Sequence, residues 1–90
     1  MKTFFKVIKS GTVSTVPSEK SENGTLSKRI LVLQELGGKY ENQYAATLWG
    51  NQAVMEWEPG NLVYAVLRFQ AREYNGQVYQ DVAVSEIVKF

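Results

Sequence analysis

Gln43-Tyr-Ala-Ala-Thr-Leu-Trp49, Gly50-Asn-Gln-Ala-Val-Met-Glu-Trp-Glu58, Pro59-Gly60: along this stretch an alternating pattern gives way to a helix-forming one, which is then broken. In the first part Tyr44, Ala46 and Leu48 fall on one side and Gln43, Ala45, Thr47 and Trp49 on the other, the period of two that marks a strand. The second part loses the alternation and is rich in good helix formers, which predicts a short helix of about two turns. Pro59-Gly60 ends it, because neither residue extends a helix.

Downstream, a strand is predicted from about Asn61 to Glu73 and another from about Gln77 to Phe90. Tyr74-Asn75-Gly76 between them carries the Asn-Gly pair of a tight hairpin. Upstream, Thr3 to Val16 reads as one long strand in which Gly11 marks a bulge or sharp bend, so that the strand can serve both halves of a barrel. Pro17 to Ser27 is polar, holds turn formers and lacks apolar periodicity, which predicts a mobile loop. A further strand covers Lys28 to Leu36 and ends at the turn signal Gly37-Gly38. The order is three strands, a short helix, then two strands. That is the order of the OB-fold, a five-stranded, partly open Greek-key barrel. An SH3-like barrel is the nearest rival, but a helix after the third strand falls where the OB barrel needs a plug, and Trp57 reads as that plug. The expected fold is therefore all-β, one OB-fold domain over residues 1–90 with a short helix between strands three and four.

Ninety residues leave little room for a second core or a deep catalytic cleft. Cysteine and histidine are both absent, which excludes disulfides, thiolate nucleophiles, imidazole bases and the usual zinc ligands. The carboxylates are scattered, and Glu56 and Glu58 beside Trp57 read as solvated surface. The expectation is a protein that is not an enzyme, with no catalytic residues, no metal site and no cofactor. No apolar run is long enough to span a bilayer and the N-terminal segment breaks its apolar residues with lysines, so the expected partners exclude the membrane and the expected compartment is the cytoplasm. Ten Lys and Arg against nine Asp and Glu give a net charge of +1, so any ligand-directed charge has to be local.

The fourth predicted strand supplies such a local pattern. Val63, Ala65, Leu67, Phe69 and Ala71 form its core face, while Tyr64, Val66, Arg68, Gln70, Arg72 and Tyr74 line the other. Two guanidiniums and a terminal aromatic in one row suit phosphate contacts and base stacking. Trp49 has the same outward parity at the end of the third strand and would stand beside that row if the strands close; Tyr40 and Tyr79 are further candidates. Packing alone also enriches aromatics in strands, and two arginines on a surface are ordinary, so the pattern gains weight only from its convergence.

Leu48-Trp49-Gly50-Asn51-Gln52-Ala53, then Pro59-Gly60-Asn61-Leu62-Val63-Tyr64, then Arg68, Arg72, Tyr74 and Tyr79-Gln80-Asp81-Val82 together resemble the bacterial single-stranded DNA-binding protein family. The likeness covers about residues 43–88 and rests on order and spacing. It implies DNA-stacking aromatics at Trp49 and Tyr74 and basic contacts at Arg68 and Arg72. Pro59 replaces a family lysine, Gln43 stands near a frequent family tryptophan, and the last hairpin is shorter. The disordered linker and acidic tip of typical members do not follow Phe90, so no tail-mediated recruitment is expected.

The functional expectation is a module that binds single-stranded DNA, or RNA, with little sequence preference, in replication, repair or mobile-element maintenance. The alternatives are an OB-fold protein-interaction or assembly subunit that ignores nucleic acid, and an oligosaccharide binder. Phe4 with Ile8 and Phe5 with Val7 put apolar residues on both faces of the first strand, more than one barrel wall should bury. A homodimer or homotetramer is expected on that ground.

Overall fold

The computed structural model describes residues 1–18 and 24–90. Among these residues are six strands, β1 (Lys2–Ser10), β2 (Ser14–Pro17), β3 (Thr25–Glu35), β4 (Gln43–Trp49), β5 (Leu62–Tyr74) and β6 (Gln77–Lys89), and one short helix, α1 (Asn51–Val54). The ring runs β1-β5-β6-β4-β3 and closes because β1 also pairs with β3; β2 extends it beside β3. All pairings are antiparallel except β4 with β6, which meet in parallel at Thr47 opposite Ala83. This is the expected OB-fold, with the helix between the strands that were predicted third and fourth.

β1 makes closure possible by using both of its edges. Lys2 to Lys6 pair with β5, and from Phe5 onward the strand also pairs with β3. Its register against β3 slips between Val7 and Lys9, so Ile8 leaves the alternation and is half-buried instead of continuing the outward row begun by Phe4. The predicted first strand splits in two at Gly11. There the backbone lies so close to β3 that a Cβ would sit 3.0 Å from the Ile30 carbonyl oxygen, while Gly11 N–H donates to that same oxygen at 2.9 Å. A side chain would push this bond open.

Other boundaries shift for local reasons. β3 begins at Thr25, inside the stretch expected to be a loop, because Thr25 to Lys28 pair with β2. Of that loop, residues 19–23 lie outside the described residues. The helix spans four residues rather than two turns: Gly50 supplies no side-chain cap, and Met55 is already extended. The last hairpin is as expected, with Asn75 (φ 52°) and Gly76 (φ 77°) both left-handed, the geometry of a type I′ turn that favours Asn-Gly.

The interior holds Phe5, Val7, Leu31, Leu33, Ala46, Leu48, Val63, Ala65, Leu67 and Val84, one or more from each ring strand. Ala53 and Trp57, from the connection between β4 and β5, seal one end. The Trp57 indole N–H donates to the Gln52 carbonyl at 2.7 Å, and the Lys89 ammonium sits 5.7 Å from its ring centre while donating to the Glu56 carbonyl. The plug was legible, although Trp57 follows the helix instead of lying in it.

β5 and β6 are each 13 residues long, and only their barrel halves are buried. Beyond Leu67 every residue of β5 is exposed, so Phe69 and Ala71 do not belong to the core as their parity suggested. The strand outruns the barrel it helps to close, leaving a two-stranded arm roughly 20 Å long at the usual strand rise. A bulge marks the exit: Val66 pairs with Glu86 but Leu67 with Val84, and the bulged Ser85 donates its hydroxyl to the Val66 carbonyl. The arm's inner side is anchored by an aromatic ladder in which Tyr44 packs edge-on against Phe5 at 5.9 Å and against Phe69 at 5.8 Å.

Leu31 and Leu67 are almost fully enclosed, so truncating either to alanine should cost about 2–5 kcal/mol of unfolding free energy in a urea titration. The same change at Leu36, which is exposed, should move the midpoint little.

Candidate nucleic-acid interface

Hairpin registers deliver the side chains of one outer face. The β3–β4 hairpin places Lys28 opposite Trp49, and the β5–β6 hairpin places Arg72 opposite Tyr79 and Gln70 opposite Asp81. Thr47 beside Ala83 at the parallel seam joins the two sets. The outcome is an open cleft with Thr47 and Ala83 on its floor, Trp49 and Lys28 on one wall, and Gln70, Arg72 and Asp81 on the other.

Trp49 is 39% exposed, with the Lys28 ammonium 5.5 Å from its ring centre. The turn out of β4 is pinned behind it by Gly50 N–H donating to the Ser27 carbonyl at 2.9 Å. On the arm, the Arg72 guanidinium lies 4.9 Å from the centre of the Tyr79 ring, and its Nε donates to Asp81 at 2.7 Å. Tyr79 is held from the far side, its hydroxyl donating to Gln77 Oε1. Arg72 and Asp81 are both about half exposed, and an ion pair in that setting contributes only ~0–1 kcal/mol. The guanidinium is therefore oriented on a stacking ring by a carboxylate that an incoming anion can replace at small cost.

Of the residues singled out in the sequence, Trp49 and Arg72 share this cleft and Tyr79 stacks beneath Arg72. Arg68 and Tyr74 occupy the same outward row of β5 but do not line it; Arg68 lies opposite Ala83, and Tyr74, 63% exposed, stands beside the arm's turn. Tyr40 lies apart in the β3–β4 connection, 88% exposed, with the Lys39 ammonium 5.1 Å from its ring centre. Lys28 and Asp81 were not anticipated as part of the site. Both could have been: centring one hairpin just after Gly38 sets Lys28 across from Trp49, and centring the other on Asn75-Gly76 brings Asp81 diagonal to Arg72. Among the described residues no group of acidic, histidine or cysteine side chains has the arrangement of a metal site, and no helix is long and apolar enough to cross a membrane.

No family model matches the chain and no curated protein matches it. Among solved structures, the chain is similar to the solution structure of the second OB-fold domain of replication protein A from Methanococcus maripaludis, with a TM-score of 0.69 and 16% sequence identity. The match covers 96% of this chain and 78% of that one. The shared feature at this identity is the fold.

The two indoles occupy opposite environments, Trp49 at 39% exposure and Trp57 at 3%. Iodide should quench one component of the tryptophan emission and leave a protected one, and Trp49→Phe should remove the quenchable component alone.

Proposed function

We propose that the protein binds single-stranded DNA with little sequence preference, bases stacking on Trp49 and along the Tyr79–Tyr74 side of the arm, phosphates taken by Arg72, Lys28 and Arg68. The observation that carries this reading is the union of Trp49, Lys28 and Arg72 in one open cleft on the outer face of β4 and the arm. A stacking ring and mobile cations need no base-specific hydrogen bonds, which suits sequence-tolerant recognition. The sequence resemblance to bacterial single-stranded DNA-binding proteins supports the same reading, as does the likeness of the fold to a domain of a replication protein. The role so assigned is in replication, repair or mobile-element maintenance in the cytoplasm, as a self-associating, non-catalytic module that needs no cofactor. A second reading, an assembly subunit indifferent to nucleic acid, draws on one observation: the outer face of β1 exposes Phe4 beside Tyr64 and Phe90.

Titration with oligo-dT at low salt, followed by tryptophan fluorescence, should quench Trp49, and the affinity should fall steeply with added salt as counterions are released. Trp49→Ala should weaken binding by roughly 5- to 150-fold, the equivalent of one ~1–3 kcal/mol stacking platform. Arg72→Ala should also weaken it, and should flatten the salt slope by about 0.7 for one lost phosphate contact. No quenching at low salt would sink the assignment in favour of the assembly subunit; equal affinity for oligo-U would extend it to RNA.

Asp81→Asn should tighten oligo-dT binding several-fold and steepen the salt dependence, since the variant leaves Arg72 without its internal anion. Unchanged affinity in both D81N and Arg72→Ala would mean that Arg72 makes no phosphate contact.

A further inference from the structure

Past the barrel, β5 keeps one edge without a partner. Backbone groups alternate in direction along a strand, and Leu67 fixes the phase: its N–H donates to the Met1 carbonyl at 2.7 Å and its carbonyl accepts from the Met1 nitrogen at 2.9 Å. Phe69, Ala71 and Glu73 therefore turn their N–H and C=O groups to that same side, while Arg68, Gln70, Arg72 and Tyr74 turn theirs to β6. The pairing of β1 goes no farther, so beyond Leu67 no described strand bonds to this edge.

An open edge is ordinarily kept short or blunted by proline, lysine or a bulge. The edge strand β2 has only four residues and ends on Pro17. From Arg68 to Tyr74 the β5 edge has none of these devices, since the bulge at the root of the arm places its extra residue in β6. The two rows that flank it differ in chemistry. On the inner side stand Phe69, 41% exposed, and the exposed Ala71. On the outer side Arg68 lies opposite Ala83, with no ion pair among the described residues, and Arg72 is bonded to Asp81 through Nε.

We propose that this edge takes up an extended segment of another protein as an added antiparallel strand, with acidic side chains across from Arg68 and Arg72 and apolar ones across from Phe69 and Ala71. Main-chain bonds to Phe69, Ala71 and Glu73 supply the pairing, and the alternation of side chains supplies the selectivity. A carboxylate on the added strand meets a guanidinium directly across, and a β-branched side chain on its other face extends the Phe5–Tyr44–Phe69 cluster. The outer row of β5 holds no carboxylate, so the same edge of a second copy could answer neither arginine. A nucleic-acid strand has no amide ladder with which to pair. The free edge of β5 lies on the side away from β6, and its use does not depend on what the cleft binds.

Amide hydrogen exchange of the full chain, read residue by residue by NMR without nucleic acid, tests this with the blocked peptide Thr-Thr-Glu-Val-Thr-Val-Glu. In the free protein the Phe69, Ala71 and Glu73 amides should exchange much faster than those of Gln70 and Arg72, which the β5–β6 ladder holds. Peptide at about ten times its Kd should slow those three roughly tenfold and leave β2 unchanged. Replacing both glutamates of the peptide with lysine should weaken binding about tenfold. Ala71→Pro removes an edge N–H without touching the ladder, so it should abolish protection by the peptide while Gln70 and Arg72 stay slow, the sign of an intact arm. Arg68→Glu should weaken the glutamate peptide and strengthen the lysine one. No protection of the three amides up to the solubility limit of the peptide would overturn the proposal, as would equal affinity for the two peptides or protection that survives Ala71→Pro. Protection that grows with protein concentration alone would overturn it too, by giving the edge to a second copy. With nucleic acid absent throughout, a failed edge and a failed cleft assignment give different results.

Discussion

Everything in this molecule depends on one strand being hydrogen-bonded along both edges. Phe5 faces Val63 on one side and Glu35 on the other, and from that double pairing the sheet closes. A closed ring pairs its strands on both sides within the barrel and encloses a cylinder that side chains must fill. Phe5, Leu31, Leu33, Leu48 and Leu67 fill it, and the Ala53–Trp57 segment stops one end. Bending a strand far enough to be shared requires the slip at Ile8 and the close approach at Gly11. Two local irregularities thus carry the closure of the whole barrel.

The cleft follows from the same closure. Trp49 and Arg72 are far apart in sequence, and neither hairpin alone unites them. They meet only because β4 touches β6 at the last step of the ring, bringing the Lys28–Trp49 pair beside the Arg72–Asp81 pair. The overlong β5–β6 arm adds exposed ladder beyond the barrel, and there Tyr79 and Tyr74 stay out of the core that claims Phe5 and Leu67. Length is what divides this hairpin into a structural half and an available half.

Much of this was legible in the residues. Period-two alternation located β4, β5 and β6 to within a residue, Asn75-Gly76 placed the turn, and the lapse before Pro59 placed the helix in the right interval. Trp49 and Arg72 emerged from parity alone. What parity cannot show is where a strand stops being covered: Phe69 and Ala71 keep the inward phase of Val63 and Leu67, yet the barrel has ended, and Phe69, packed against Tyr44, stays 41% exposed. Nor does it reveal a slip in register, which is why Ile8 was assigned to the outward row. β2 was read as the far end of the first strand, because alternation through Val13 and Val16 does not show that the chain breaks its pairing at Gly11. Lys28 and Asp81 were missed for another reason: their place depends on which residues lie across the ladder, a property of pairs and not of single strands.

The parallel seam between β4 and β6 is held at Thr47 and Ala83, whereas the antiparallel β5–β6 ladder runs through twelve pairs. Those two residues form the floor of the cleft. The walls consequently belong to hairpins with long antiparallel ladders, while the joint between them carries a single registered pair.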